Sequence, residues 1–214
     1  MFLSTVFIGA SLVCWLAYFV KLPYVLEHGP SLKQPTMLHC SKQYFTHFYL
    51  FAAAYAIHQF NYATSMTVFL IHLIRRLVES ACSHYSSSMF IGHYFVGFFH
   101  YYCAIHALLL PSVVQYDSGL YIFIFFMILQ MSCHLQLIKA KQQFPDRRIP
   151  LNGFFTIFHC PHYTFEIFMY FGLCLYHCNP TTISMSFWVF SNLLVSMLNS
   201  KTAEHKWYLI PFVF

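Results

Sequence analysis

The stretch from Tyr44 to Leu77, YFTHFYLFAAAYAIHQFNYATSMTVFLIHLIRRL, is apolar for long enough to decide how the chain crosses a membrane. As a single helix rising 1.5 Å per residue it would extend about 51 Å, whereas the hydrocarbon core of a bilayer is about 30 Å thick. Gln59-Phe60-Asn61-Tyr62 offers turn residues near its middle. We therefore predict two short, tilted membrane helices in this stretch.

The composition is typical of a membrane protein that crosses the bilayer several times. Hydrophobic residues make up 59% of the 214 residues and charged residues only 8%, whereas a soluble domain carries about 25% charged residues. Further apolar segments cover residues 1–20, 88–111, 119–138, 153–176 and 183–200. The sequence therefore predicts an all-α membrane protein with about seven transmembrane helices.

The positions of the basic residues support this count. With seven spans, all eleven Lys and Arg residues fall on one side, and the opposite loops hold only Asp117. The positive-inside rule then places the loops 21–43, 75–87 and 139–150, and the C-terminus, in the cytosol. Residues 1–20 lack the basic start of a signal peptide, so we expect an uncleaved anchor with a luminal N-terminus.

A carboxylate inside an apolar segment marks the first candidate site. A charged side chain near the membrane centre costs roughly 2.5–3.5 kcal/mol, so we expect Glu166 to face a polar cavity. Pro161 suits the first position of a helix, and His162, Glu166 and Tyr170 then share one helix face. The alternative is a Glu that a neighbouring helix holds for packing only.

Further polar sets lie on the predicted cytosolic side. Arg75 and Arg76 follow His72 and precede Glu79, and by themselves they indicate side chains that snorkel at the membrane edge. Gln130 and His134, four residues apart, share a helix face. The basic loop suits either anionic lipid or nucleotide phosphates; its members are Lys139, Lys141, Arg147 and Arg148. The last set, after the final span, includes Asn199, Lys201, His205, Lys206, Trp207 and Tyr208.

The fourteen histidines and eight cysteines do not indicate a metal site. The histidines are dispersed, and the cysteines form no C-x-x-C pair, so a convergent set of ligands is lacking. We interpret the cysteines as small hydrophobic residues. We expect a membrane and a lipid as partners, and no metal and no nucleic acid.

With these residues in hand, the chain resembles the steroid 5α-reductase family, and most closely its polyprenol/polyprenal reductase branch, which makes dolichol. The matching stretches follow the family order over residues 44–214. They are Tyr44 to Tyr49, His72 to Glu79, Gln130 to His134, Arg148-Ile149-Pro150, Cys160 to Glu166, His205-Lys206-Trp207-Tyr208 and Pro211-Phe212-Val213-Phe214.

The resemblance implies an endoplasmic reticulum enzyme of seven helices, with a cytosol-facing pocket for NADPH, that saturates the α-isoprene unit of a polyisoprenoid lipid. Residues 1–43 would be the N-terminal anchor and its cytosolic connection, and residues 44–214 the catalytic domain. The candidates for polarising or protonating the substrate are His72, His47 and Tyr49. By position, the cofactor-binding residues would be Arg76, Gln130, His134, Lys141, Arg148, His162, Glu166, His205 and Tyr208.

The chain departs from the family pattern at three places. Leu73 stands where the steroid-type enzymes have a substrate-polarising Tyr, so a steroid 3-ketone is a poor fit. Lys141 stands where an Arg is usual, which gives up bidentate phosphate geometry. A Lys/Arg-rich segment usual in the family is absent, since Leu209 is followed directly by Ile210.

Two alternative functions stay open. One is a trans-2-enoyl-CoA reductase of fatty-acid elongation, which shares the pattern of Pro161, Tyr163 and Glu166 but acts on a thioester. The other is a catalytically inactive membrane homologue that keeps the fold as a scaffold, and the absent basic segment favours it.

Overall fold

The fold is a helical bundle, seen in a computed structural model that describes residues 2–21, 39–83, 88–143 and 153–199. Within these ranges lie α1 (Phe2–Phe19), α2 (Phe45–His58), α3 (Thr64–Ala81), α4 (Ile91–Leu109), α5 (Asp117–Gln143), α6 (Pro161–Tyr176) and α7 (Pro180–Asn199). Two short 3₁₀ helices (Lys42–Tyr44 and Gly153–Thr156) and an antiparallel pair of strands, β1 (His39–Ser41) and β2 (Ser88–Phe90), complete the described part. The prediction of an all-α fold is confirmed.

Membrane association follows from the length and composition of the helices. Among the described residues, α1, α5 and α7 are long and apolar enough to cross a membrane. By contrast, α2 and α6 have 14 and 16 residues, fewer than the roughly 20 of a typical span. The chain is therefore a membrane protein, and the count of seven spans stays a prediction.

The long apolar stretch 44–77 forms two helices, as predicted. The chain leaves α2 at His58 and enters α3 at Thr64. Between them, Tyr62 has a φ of 58°, in the left-handed region that interrupts a right-handed helix. The turn falls at the residues that the sequence indicated.

The helix α6 begins at the proline that the sequence indicated as a first helical position, so the apolar segment 153–176 is not helical from its start. The helix begins only at Pro161, and Cys160 before it has φ −135° and ψ 69°. A proline ring clashes with a helical conformation of the preceding residue, while Pro161 itself suits the first helical position. Residues 153–156 form a separate 3₁₀ helix, with Gly153 at a φ of 62°.

Hydrogen bonds around the turn between α6 and α7 stabilise one end of the bundle. His177 donates through Nε2 to the Leu110 carbonyl at 2.8 Å, and its Nδ1 lies 3.2 Å from the Ser65 hydroxyl. Asn179 accepts from the backbone N–H of Thr181 and of Thr182, each at 2.9 Å. This capped turn joins the start of α3 and the end of α4 to the start of α7.

The opposite end carries the positive charge, and we call it the basic end. There β1, before α2, pairs with β2, before α4, so that His39 lies opposite Phe90 and Ser41 opposite Ser88. The Lys and Arg residues of the described ranges all lie at or near this end; they are Lys21, Lys42, Arg75, Arg76, Lys139 and Lys141. That the basic end faces the cytosol stays a prediction.

Two glycines set the separation of α5 and α6. A Cβ on Gly172 would lie 2.6 Å from the backbone nitrogen of Phe123 and 2.8 Å from the carbonyl oxygen of Gly119. Small residues allow such close backbone approach between membrane helices. The approach aligns α5 and α6, and with them the polar side chains that these helices carry further along.

Candidate functional site

Glu79, in the last turn of α3, gathers cationic side chains. Its Oε1 accepts a hydrogen bond from Arg75 Nη1 at 2.6 Å, and its Oε2 accepts one from Arg76 Nη1 at 2.8 Å. Spacings of three and four residues bring both arginines onto the same helix face as Glu79. Because the Arg side chains are only 10% exposed, they point into the bundle and do not snorkel to its surface.

His134 connects α5 to Glu79. Its Nδ1 lies 2.8 Å from Glu79 Oε2. Arg76 Nη1 contacts both ring nitrogens of His134, and Nδ1 more closely than Nε2. His134 therefore lies between the Glu79 carboxylate and the Arg76 guanidinium and links α5 to both.

Gln130 extends the network from α3 to α6. Arg75 Nη2 donates to its Oε1, and its Nε2 donates to Glu166 Oε2 at 2.9 Å. A guanidinium only donates and a carboxylate only accepts, so these two partners fix the orientation of the amide. Gln130 is fully buried, and Glu166 therefore faces the protein interior and not lipid.

We call these residues together the Glu79 cluster: Arg75, Arg76, Glu79, Gln130, His134 and Glu166. Among them, Arg75 and Glu79 were not predicted as site residues. The signal was present in the sequence, since Glu79 follows the two arginines at spacings of four and three. What the sequence lacked was a reason to prefer a buried ion pair over a membrane-edge pair.

Three other predicted residues lie against this cluster. The Tyr49 hydroxyl accepts from Arg76 Nη2 at 2.8 Å and from Nε at 3.1 Å. His72 accepts from Arg75 Nη2 at its Nδ1, at 3.0 Å. The His162 ring meets the His134 ring edge-on, with 5.7 Å between centroids. Side chains from α2, α3, α5 and α6 therefore converge on one place.

The remaining predicted residues are not brought into the cluster. His47 is exposed on α2, stacks on Tyr44 and has its Nδ1 3.1 Å from the Tyr94 hydroxyl. Lys141 lies in the last turn of α5 at the basic end. The predictions for Arg148, His205 and Tyr208 concern residues outside the described ranges.

Lys42 is a cation that the sequence analysis did not single out. Burial lowers the pKa of Lys42 to about 8, and the positive charge of Lys141 contributes to the shift. The two lysines are far apart in sequence, and only the fold brings their charges together at the basic end. Two neighbouring cations create a positive potential that attracts anionic groups such as phosphates.

Comparison with known proteins connects this site to a family. A family model described as 3-oxo-5-alpha-steroid 4-dehydrogenase matches residues 77–213, which include Glu79, Gln130, His134 and Glu166. The chain belongs to this family. The predicted membership of the steroid 5α-reductase family is thereby confirmed at the level of the family.

A relative of this family member occurs in fission yeast. An uncharacterised protein from Schizosaccharomyces pombe is 30% identical over 166 residues, which cover 70% of this chain and 60% of that protein. The chain thus spans about 60% of the length of this relative.

The residues of this family member fit the cofactor NADPH. Two buried nitrogen atoms, Arg75 Nε in the Glu79 cluster and His162 Nδ1 beside it, have no hydrogen-bond partner within the described ranges. A nicotinamide carboxamide or a ribose hydroxyl offers such partners, and the phosphates suit the positive potential at Lys42 and Lys141. Both kinds of group occur together in a reduced nicotinamide dinucleotide.

Proposed function

We propose that the protein is an NADPH-dependent reductase of the endoplasmic reticulum membrane that saturates the α-isoprene double bond of a polyprenal or polyprenol. This reaction yields the dolichol used in protein N-glycosylation. The Glu79 cluster carries the proposal. Charged groups inside a membrane protein are costly and mark functional sites, and this family member brings two arginines and two glutamates together inside its helical bundle.

The cofactor side of the site is assigned to the residues around Gln130. In this proposal Arg76, Gln130, His134, His162 and Glu166 hold the nicotinamide end. The phosphate end lies towards the basic end of the bundle, where Lys141 and Lys42 provide positive charge; Arg148, His205 and Tyr208, outside the described ranges, are further proposed cofactor residues. The basic end then faces the cytosol, where NADPH is present, and the N-terminus faces the lumen.

The substrate side is assigned to His72 and Tyr49, next to Arg75 and Arg76. NADPH, when bound, supplies a hydride. Hydride addition to a conjugated carbonyl builds negative charge on its oxygen, and hydrogen-bond donors in a dry site stabilise that charge. His72 is fully buried, and the guanidinium of Arg75 beside it adds positive potential. His47, with its partner Tyr94, is retained as a third candidate proton donor.

The apolar interior favours a polyisoprenoid over a steroid ketone. Leu73, Phe69, Phe123 and Met169 are at most 1% exposed and belong to the apolar core, in which the rings of Phe69 and Phe123 contact that of His72. At Leu73 the chain offers a hydrocarbon side chain and no hydroxyl. A long hydrocarbon substrate is already dissolved in the membrane, and contact with apolar side chains leaves none of its groups as an unpaired polar group.

Expression in a strain without its own polyprenol reductase tests the proposal. Microsomes that contain the chain should regain lipids with a saturated α-isoprene unit, measured by mass spectrometry. The Glu79→Gln variant should not restore them, whereas Asp117→Asn, an exposed carboxylate at the opposite end, should. If polyprenol still accumulates to the level of the empty strain although the folded wild-type protein is present, the proposal is refuted.

A trans-2-enoyl-CoA reductase is the second candidate, because Pro161, Tyr163 and Glu166 stand in the order of that branch at the start of α6. NADPH oxidation that depends on added trans-2-enoyl-CoA, without any effect of polyprenal, would favour it. A catalytically inactive membrane homologue is the third candidate. NADPH would then not raise the apparent melting temperature of the purified protein, since only a bound ligand stabilises the folded state.

A further inference from the structure

Gln130 is the most deeply buried member of the Glu79 cluster. Its exposed fraction is 0%, whereas Arg76 and Glu79 keep 8% and 7%, and Glu166 is only half-buried. No part of the Gln130 side chain therefore reaches a surface that a ligand could touch. Any influence of Gln130 on a bound molecule has to pass through one of its neighbours.

Both ends of the Gln130 amide are already occupied. Its Oε1 accepts from Arg75 Nη2, and its Nε2 donates to Glu166 Oε2 at 2.9 Å. The reverse orientation would place the N–H₂ group against a guanidinium, which only donates, and the oxygen against a carboxylate, which only accepts. The contact with Arg75 thus directs the amide N–H towards Glu166.

Arg75, which directs the amide, is itself held in place on α3. Its Nη1 donates to Glu79 Oε1 at 2.6 Å, and its Nη2 also donates to His72 Nδ1 at 3.0 Å. The amide of Gln130 then lies between a positive and a negative group. Hydrogen bonds to ionised partners are stronger than neutral ones, and successive hydrogen bonds polarise one another. Gln130 is therefore a fixed bridge from α3 to α6.

The bridge restricts the carboxylate of Glu166. The terminal torsion of a Glu side chain has a broad distribution, so a carboxylate without a donor on one oxygen samples many orientations. With Oε2 held by Gln130, the direction of the second oxygen is set as well. Functional side chains depend on supporting contacts of this kind to keep a productive geometry.

We propose that Gln130 is a positioning residue, which orients the Glu166 carboxylate for the nicotinamide end of the cofactor without touching the cofactor itself. Arg75 acts one step further away, because it sets the direction of the amide. The inference rests on the proposed reductase function and specifies how Gln130 takes part in it.

The test exchanges the two side chains. Gln130→Glu keeps an oxygen for Arg75 but removes the N–H donor and sets two carboxylates against each other. Adding Glu166→Gln supplies a new amide, which can donate to the carboxylate now at position 130, and the net charge returns to that of the wild type. Gln115→Glu, at an exposed position between α4 and α5, is the matched control for an added negative charge.

The first measurement is the melting temperature of the purified full-length chain in detergent. Gln130→Glu should lower it by about 3–12 °C, the range for losing a hydrogen bond to a charged group in a chain of this size. The exchanged double variant should recover most of this loss, and Gln115→Glu should melt like the wild type. A double variant that is no more stable than Gln130→Glu overturns the proposal.

The second measurement is the affinity for NADPH, from titration of thermal stabilisation. Gln130→Glu and Glu166→Gln should each weaken binding about tenfold. In the Glu166→Gln background, Gln130→Glu should cause no further loss, because the carboxylate that Gln130 orients is gone. Losses that multiply would mean that Gln130 contacts the cofactor directly, and they would overturn the proposal. So would a folded Gln130→Glu protein with the affinity of the wild type.

The two measurements separate this inference from the reductase function. A wild-type protein that does not respond to NADPH refutes the reductase proposal. Recovery of the melting temperature in the exchanged variant would, even then, support the positioning of Glu166 by Gln130.

Discussion

Replacing Glu79 by Gln tests whether the Glu79 cluster is held together by charge. Gln keeps the size of the side chain but puts an N–H₂ donor where a carboxylate oxygen accepts from an arginine. Arg75, Arg76 and His134 all use this carboxylate, at 2.6, 2.8 and 2.8 Å. Removing one partner of a buried ion pair costs about 3–5 kcal/mol, because the remaining charge stays buried without compensation.

The expected loss is large enough to measure directly. For a chain of this size, 1 kcal/mol corresponds to about 2–4 °C, so Glu79→Gln should lower the apparent melting temperature by about 6–20 °C. Size-exclusion chromatography of detergent-solubilised protein after heating provides the measurement. Asp117→Asn, at an exposed helix N-terminus, should cost at most about 1 kcal/mol.

A second substitution sharpens the test. Arg75→Gln in the Glu79→Gln background removes one of the uncompensated positive charges. The double variant should therefore be more stable than the sum of the two single losses predicts, as expected for residues that interact directly. The ionic explanation of the cluster is wrong if Glu79→Gln has the same melting temperature as Asp117→Asn. It is also wrong if the stability losses of Glu79→Gln and Arg75→Gln simply add in the double variant.

Three further predictions concern packing, charge and capping. Gly172→Ala should destabilise the protein by about 1–3 kcal/mol in a thermal shift assay, because the added Cβ overpacks the contact with α5. Gly9→Ala is the control: its Cβ would meet nothing within 4 Å, so this variant should be neutral or slightly stabilised. The pKa of Lys42 is lowered to about 8, so Lys42 is charged below that pH and neutral above it. The affinity for NADPH, measured by titration, should therefore fall as the pH rises through about 8. In Lys42→Arg, which stays charged, this pH dependence should vanish. Asn179→Ala should cost about 0.5–2 kcal/mol through loss of the helix cap, and Asn192→Ala within the same helix should cost less in the same assay. Equal melting temperatures of Gly172→Ala and Gly9→Ala would contradict the packing explanation, and equal values for Asn179→Ala and Asn192→Ala the capping explanation. The same pH profile with Lys and with Arg at position 42 would contradict the charge explanation.

Much of the architecture is predictable because its causes are local. The excess of apolar residues identifies a membrane protein, and the turn residues near Gln59 divide a stretch too long for one span. Pro161 begins a helix because it lacks the N–H that other positions need. The apolar residues 153–160 do not extend this helix towards the N-terminus, because Pro161 restricts the backbone of Cys160.

The sequence by itself therefore determined the fold class, the approximate positions of the helices and the family, and it singled out Arg76, Gln130, His134 and Glu166, which the structure brings together. It did so because periodicity, turn residues and ordered motifs act over a few residues at a time. The tertiary structure decided that Arg75 and Arg76 turn inwards to Glu79, that Lys42 stands near Lys141, and that His72 and His100 flank Tyr170. These pairings depend on how α3, α4, α5 and α6 pack and, where backbones meet at Gly119 and Gly172, on distances of a few ångströms that no local pattern specifies.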